Sequence, residues 1–287
     1  MTASLETLVV AAYIFADEEA IPRCGPRGTI TDAELVALAV AQAATGIPSD
    51  RQFLGLVGKL LPGWFPRLPC QSQYNRRLRR LAPTIASVQL RVARLIARNE
   101  LRLADGTLIG VANYPGCASR SDFAGTAAYG YCPSKSQYLW GVRLVLVTDP
   151  DGLPLGYTLV AANEKEYEPV RELTTAHKGC TLIADKGLWG REYAQTLALQ
   201  EVTILTPERT RNASNLERER RLAGLRLVIE STISNLKCQM RLERHLAKTP
   251  AGLAQRIVQR LLALTIGMLL NTLTGRPPRA LVAYDGR

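Results

Sequence analysis

Apolar positions recur at three- and four-residue spacing through the first third of the chain, and in alternating or unbroken runs through its middle. TDAELVALAVAQAATG carries the helical period. Thr31 stands where an N-cap belongs, Glu34 comes three residues later at capping-box spacing, and Gly46 and Pro48 close the segment. DRQFLGLVGKLL reads as a second helix, and Pro62, Pro66 and Pro69 break the stretch after it. A third helix covers QSQYNRRLRRLAPTIASVQLRVARLIAR, with Pro83 as its one point of interruption. Residues 1 to 98 are therefore expected to be helical.

From residue 101 the pattern changes. LRLADGTLIGVAN, YLWGVRLVLVTD and LPLGYTLVAAN are strand-like runs, with Asp151-Gly152 as a turn between the last two. They predict a three-stranded antiparallel meander. EKEYEPVRELTTA comes next as a polar helix, then CTLIAD as a short buried strand, GREYAQTLALQ as a helix and VTILTP as a fifth strand. LERERRLAGLRLVIESTISNLKCQM and AGLAQRIVQRLLALTIGMLLNTL are helical again. This order predicts an α+β fold of mixed α/β character: a mixed five-stranded sheet with helices on both faces. The expected division is a helical domain over 1–98 and a sheet-bearing domain over 99–287 that includes the C-terminal helices.

A length of 287 residues allows one large domain or two modest ones, and 47% hydrophobic with 21% charged residues excludes wholesale disorder. The longest apolar run, Leu261 to Leu270, is shorter than the roughly 20 residues a bilayer needs and comes after Arg256 and Arg260, so a core helix is expected and no membrane partner. The opening MTASLETLVVAAYIFADEE has an acid where a leader has basic residues. Cys24, Cys70, Cys117, Cys132, Cys180 and Cys238 include no CxxC pair, which argues for reduced thiols rather than zinc.

Charge narrows the partners. Lys and Arg total 36 against 25 Asp and Glu, a net +11. Such an excess points to polyanions, nucleic acid before anionic membrane. It is also uneven: Arg67 to Arg98 contains eight arginines and no acid, including Arg76, Arg77, Arg79 and Arg80. Solvated faces normally mix signs. The segment is therefore a candidate phosphate-contacting surface.

Three carboxylates occupy unusual places. Asp105 lies in the first strand among apolar residues, Asp185 comes directly after the run Thr181-Leu-Ile-Ala, and Glu230 sits in LRLVIESTISNL. Singly, each has a bland reading: a turn, an N-cap, an exposed helical position. Together, two Asp on neighbouring strands and a Glu on a packed helix form an oxygen ligand set for a pair of hard divalent cations. At about 100° per residue, Arg226, Glu230 and Lys237 share one edge of their helix, beside an apolar stripe of Leu225, Ile229, Ile233, Leu236 and Met240. Arg226 and Lys237 could contact phosphate; the alternative is an intrahelical Arg226–Glu230 pair on a wet surface.

These residues give the chain a resemblance to bacterial insertion-sequence transposases of the DDE type, most closely the IS982 family of the IS4/IS5-like group. Asp105-Gly106-Thr-Leu-Ile-Gly-Val resembles the first-Asp motif, Asp185-Lys186-Gly187 the second, and Ala128-Tyr-Gly-Tyr-Cys-Pro-Ser-Lys135 a characteristic segment. Arg226, Glu230 and Lys237 match the R-E-K part of a Y-R-E-K signature whose Tyr falls at Ala223. Gln73-Tyr74-Asn75-Arg76-Arg77 resembles the segment of a domain that holds the transposon end. The resemblance implies an RNase H-like domain in which Asp105, Asp185 and Glu230 are the catalytic and metal-binding triad, with Mg²⁺ or Mn²⁺, two ions. It implies Arg226 and Lys237 as DNA contacts, double-stranded DNA as partner, a homodimer on that DNA, and a bacterial cytoplasmic, nucleoid-associated location. Asp185 and Glu230 are only 45 positions apart, which leaves no room for a large insertion domain. The rival readings are an RNase H-like nuclease without strand transfer, a catalytically decayed DNA-binding protein, and an RNA binder that stacks bases on aromatic rings. Against the last stand a total of 17 aromatic residues and no stacking motif read in a strand.

Overall fold

A computed structural model describes residues 3–19, 30–98, 100–114, 116–188, 190–207 and 216–286; Cys24 falls outside them. In chain order the elements are α1 (Leu5–Asp17), α2 (Asp32–Ala44), α3 (Asp50–Leu60), α4 (Gln71–Ile96), β1 (Leu101–Ala112), the single turn α5 (Cys117–Arg120), β2 (Ala128–Cys132), β3 (Gln137–Thr148), β4 (Pro154–Ala161), α6 (Tyr167–Thr174), β5 (Thr181–Ile183), α7 (Arg191–Ala198), β6 (Thr203–Leu205), α8 (Leu216–Ser234) and α9 (Pro250–Leu273). They divide into two units: 97–234, and 1–96 together with 235–287.

The 97–234 unit is built on β3. β1 lies antiparallel along one edge of it, with Asp105 opposite Leu146. The other edge is shared by β2, against Gln137–Gly141, and β4, against Val142–Thr148. β5 adds parallel to β1 and β6 parallel to β5, so the sheet is mixed and runs β2-β3-β1-β5-β6 with β4 beside β3. The meander read from the sequence is present as β1, β3 and β4. Its turn is tied by Asp149, whose carboxylate accepts from the Asp151 and Leu153 amides, while Gly152 takes φ 86°, left-handed space that suits glycine. The sheet has six strands among the described residues, not five. β2 escaped because AYGYC alternates small and aromatic residues rather than polar and apolar ones.

Alternation along β1 and β3 gives the sheet two faces. Ala104, Val145 and Val147 pack with Val170, Leu182, Leu197 and Val202 under α6 and α7. Leu103, Thr107, Ile109, Leu144 and Leu146 point the other way and are buried. α8 packs against β1 and β5, burying Ile229 and Ile233. Thr232 Oγ1 donates to the Gly152 carbonyl at 3.1 Å and fastens the helix over the β3–β4 turn.

The other unit is helical among its described residues. The predicted capping box closes α2: Thr31 Oγ1 accepts from the Glu34 amide, and the Glu34 carboxylate accepts from the Thr31 amide. α4 runs unbroken through Pro83. Tyr74, Leu78, Leu81, Ile85, Val88 and Val92 keep one buried stripe on both sides of the proline. That packing outweighs the roughly 3 kcal/mol an interior proline costs.

The C-terminal helices depart from the expected division. α9 passes the length and composition test for a membrane span, yet it is buried from Leu253 to Asn271 and packs on α4, α2 and α1. A helix apolar all round must be enclosed, and the N-terminal helices enclose it where a sheet face would cover one side. Its buried Arg256 reaches Asp50 at 2.6 Å, and Asp50 also accepts from Gln42 and Asn75. Tyr74 donates to Gln42 at 3.0 Å in the same network.

Candidate functional site

β1 and β5 place the two aspartates. Their parallel register pairs Leu101 with Thr181 and Leu103 with Ile183. Continued by two residues, it sets Asp105 level with Asp185 just past the end of β5. A short strand that gives way at once to the 3₁₀ turn Lys186–Leu188 frees Asp185 from the sheet, at the strand's carboxyl end.

α8 supplies the rest. The Arg226 guanidinium lies 3.1 Å from Asp185 Oδ1 and 3.7 Å from Glu230 Oε1. The intrahelical Arg226–Glu230 pair therefore exists, but it extends to a strand end rather than to water alone. Asp185 and Glu230 are about half exposed. Asp105 is the enclosed member: burial first, then the Glu166 and Glu230 carboxylates, push its pKa up to about 6, while the Gly106 amide and Arg226 pull it down.

Glu166 was not anticipated from the sequence. It precedes α6, and its carboxylate lies against Gly106 so closely that a Cβ there would stand 2.3 Å from Glu166 Oε1. Arg143 holds it, donating at 2.6 Å, and also donates to the Ala162 carbonyl at 3.2 Å. The signal available was Arg143 itself, the one charge in the apolar run YLWGVRLVLVT. Glu166 thus adds negative charge behind Asp105 while being neutralised on its far side.

The donor chemistry of this cluster fits a hard divalent cation: all three groups offer carboxylate oxygens, and Asp105 is raised first by burial and then by the Glu166 and Glu230 carboxylates, whose charge a cation would relieve. As placed, no three acidic, histidine or cysteine side chains among the described residues close on one point. Arg226 stands between two of them as their counter-charge.

The remaining predicted contacts belong to the helical unit. Lys237 does not continue the α8 phase, because the α-helix stops at Ser234 and Asn235–Gln239 wind as a π-helical turn. Extrapolation at 100° per residue fails there. Lys237 belongs to the helical unit and pairs with Glu243 at 3.4 Å. In α4, Arg77 bonds Asp32 at 2.6 Å and the Ile30 carbonyl at 2.9 Å, and Arg80 stands 3.8 Å from Asp32. Arg91 pairs with Glu18 and Glu19. The acids missing from the Arg67–Arg98 segment are thus supplied by α2 and the end of α1. Arg76 and Arg79 are exposed, and neither has an acidic partner among the described residues. Tyr74 and Asn75, read as part of an end-holding segment, serve the buried network instead.

A protein-family model described as "Transposase DDE domain" matches residues 97–266. No curated protein matches significantly. Two solved structures are similar at low identity. The Mos1 transposase paired-end complex with left transposon end is 13% identical over 77% of this chain and 82% of that one, with a TM-score of 0.25. A pre-cleavage Mos1 transpososome is 15% identical over 94% and 82%, also with a TM-score of 0.25. At that score neither likeness bears on the fold.

Proposed function

Because this chain belongs to the transposase DDE domain family, we propose that it is a DNA transposase of the insertion-sequence type. In this reading it binds the terminal inverted repeats of its own element, hydrolyses a phosphodiester to free a 3′-OH, and joins that end to target DNA by transesterification. The observation that carries the reading is the Arg226 guanidinium linking Asp185, two residues past the end of β5, to Glu230 on α8, with Asp105 two residues past the last position of β1 paired with β5, on the neighbouring parallel strand. The order β4-β3-β1-β5-β6 supports an RNase H-like assignment.

Asp105, Asp185 and Glu230 would hold Mg²⁺ or Mn²⁺. When bound, such ions activate the attacking oxygen and stabilise charge on the leaving one. Asp105 must be ionised to serve as a ligand, and with its pKa raised to about 6 it is largely so at neutral pH. Arg226 offers a planar fork suited to a phosphate oxygen. Glu166 and Arg143 fix the strand around Gly106 and so hold Asp105 in place. Two element ends must be joined in one reaction, so a homodimer on double-stranded DNA belongs to the proposal, as does a bacterial cytoplasmic setting.

The test is strand transfer from pre-cleaved element ends to a target plasmid. Joined products in Mg²⁺ support the transposase reading. Cleavage of intact ends without any joining would favour a nuclease instead.

A further inference from the structure

The β2–β3 hairpin of the 97–234 unit carries aromatic rings that the cleavage chemistry does not use. Tyr129, Tyr131 and Tyr138 are 57%, 50% and 71% exposed. Cross-strand register sets Tyr131 opposite Tyr138 and Tyr129 opposite Trp140. Directly opposed residues share a face, so all four rings line one side of the hairpin. The Tyr131 and Tyr138 centroids are 5.3 Å apart, while Trp140 is buried.

The other side of the hairpin is packed. Leu108, Cys132 and Ala162 form a small core there with Leu139. Gly130 is the reason it can close: a Cβ at that position would meet the Ala162 carbonyl at 2.6 Å. The tyrosines therefore stand on a rigid backing, with little entropy left to lose on binding.

Two further observations indicate what covers them. Along β3, Tyr138, Trp140, Val142, Leu144 and Leu146 alternate onto one face, and Leu146 is the partner of Asp105. The exposed rings thus lie on the face of the sheet that carries Asp105, about 26 Å along the strand at roughly 3.3 Å per residue. Residues 123–141, which hold the hairpin, include Lys135 and no acid. Exposed rings in a stretch with only positive charge suit a partner that is anionic and offers flat π-faces. Unpaired nucleobases have both properties, whereas a duplex hides its base faces.

We propose that Tyr129, Tyr131 and Tyr138 form a stacking platform for unpaired bases of the DNA strand that leads to the cleavage site. This rests on the transposase reading and adds a single-strand subsite to it. No bond is made or broken there; the platform holds a strand whose partner has been displaced or cut.

The test uses the full chain as wild type, a Tyr131→Ala/Tyr138→Ala double variant, and the corresponding Tyr→Phe double variant. Circular dichroism first establishes that the folds match. Fluorescence anisotropy then compares a labelled mixed-sequence 16-nucleotide single strand with its duplex. Base–aromatic stacking predicts that the Ala variant loses single-strand affinity about tenfold or more, that the Phe variant keeps it within about twofold, and that duplex affinity is unchanged in both. Unchanged single-strand binding by the Ala variant would overturn the platform. So would equal losses in the Phe and Ala variants, which would make the hydroxyls the contacts. An Ala variant that alters the sedimentation of the free protein while binding the strand normally would make the rings an interface between copies. Wild type that binds duplex but not single strand removes the platform alone; wild type that binds neither removes the DNA reading as well.

Discussion

Asp105 is where the site's electrostatics become measurable without any substrate. Its carboxyl is raised from 3.8 to about 6, chiefly by burial and then by Glu166 and Glu230. A raised folded-state pKa means that the fold prefers the protonated form. The group's contribution to stability is full below about pH 4 and is lost as pH rises through about 6. The cost at neutral pH is up to about 3 kcal/mol. Asp105→Asn keeps an oxygen for the Gly106 amide, which now donates to Asp105 Oδ1 at 2.8 Å, and removes the charge. The metal-free variant should therefore melt several degrees above wild type at pH 7.5, with the gain fading toward pH 4. Equal melting temperatures across that range would show that Asp105 is not under electrostatic strain.

Among the elements, helices were legible where burial and local signals agreed. The capping box at Thr31 and Glu34 is local and appears as read, whereas α4 runs on through Pro83, its expected point of interruption, because its buried stripe continues on both sides. Features that depend on non-local packing were harder to see. β2 has no polar–apolar alternation, because Gly130 and Cys132 lie against Ala162 while its tyrosines stay exposed. The π-helical turn after Ser234 leaves no trace in a periodicity of 3.6. Asp105, Asp185 and Glu230 could be picked out by their placement among apolar residues, but Glu166 sits in an ordinary polar stretch, and only the fold brings it onto Gly106. Pro83 is the sharpest element-level test. It is exposed and lies inside a continuous helix. Pro83→Ala restores a backbone donor and should stabilise the chain by about 1–3 kcal/mol in urea unfolding. A loss of stability would mean that α4 depends on the proline.

At the scale of the whole molecule, the chain is two units that interleave in sequence: residues 235–287 return to the helices of 1–96. Sequence order alone assigned that last stretch to the sheet, since nothing local records which unit encloses an apolar helix. The helical unit also sorts the basic residues. Arg77 is committed to Asp32 and the Ile30 carbonyl, so replacing it would damage packing and binding together. Arg76 and Arg79 remain the informative pair. Their double Ala variant should fold normally, weaken duplex binding, and reduce the slope of log K against log salt by about one for each phosphate that the variant no longer neutralises. An unchanged slope would place DNA elsewhere on the surface.

At the centre of this reading, Asp105, Asp185 and Glu230 act as one metal-dependent unit. The most direct measurement tracks an end-labelled terminal repeat on a denaturing gel in Mg²⁺, with wild type beside Asp105→Asn, Asp185→Asn and Glu230→Gln. Wild type should cleave with metal and not without it, and each variant should lose roughly a thousandfold or more in rate with DNA binding intact. Near wild-type cutting by any one of the three would contradict a shared centre.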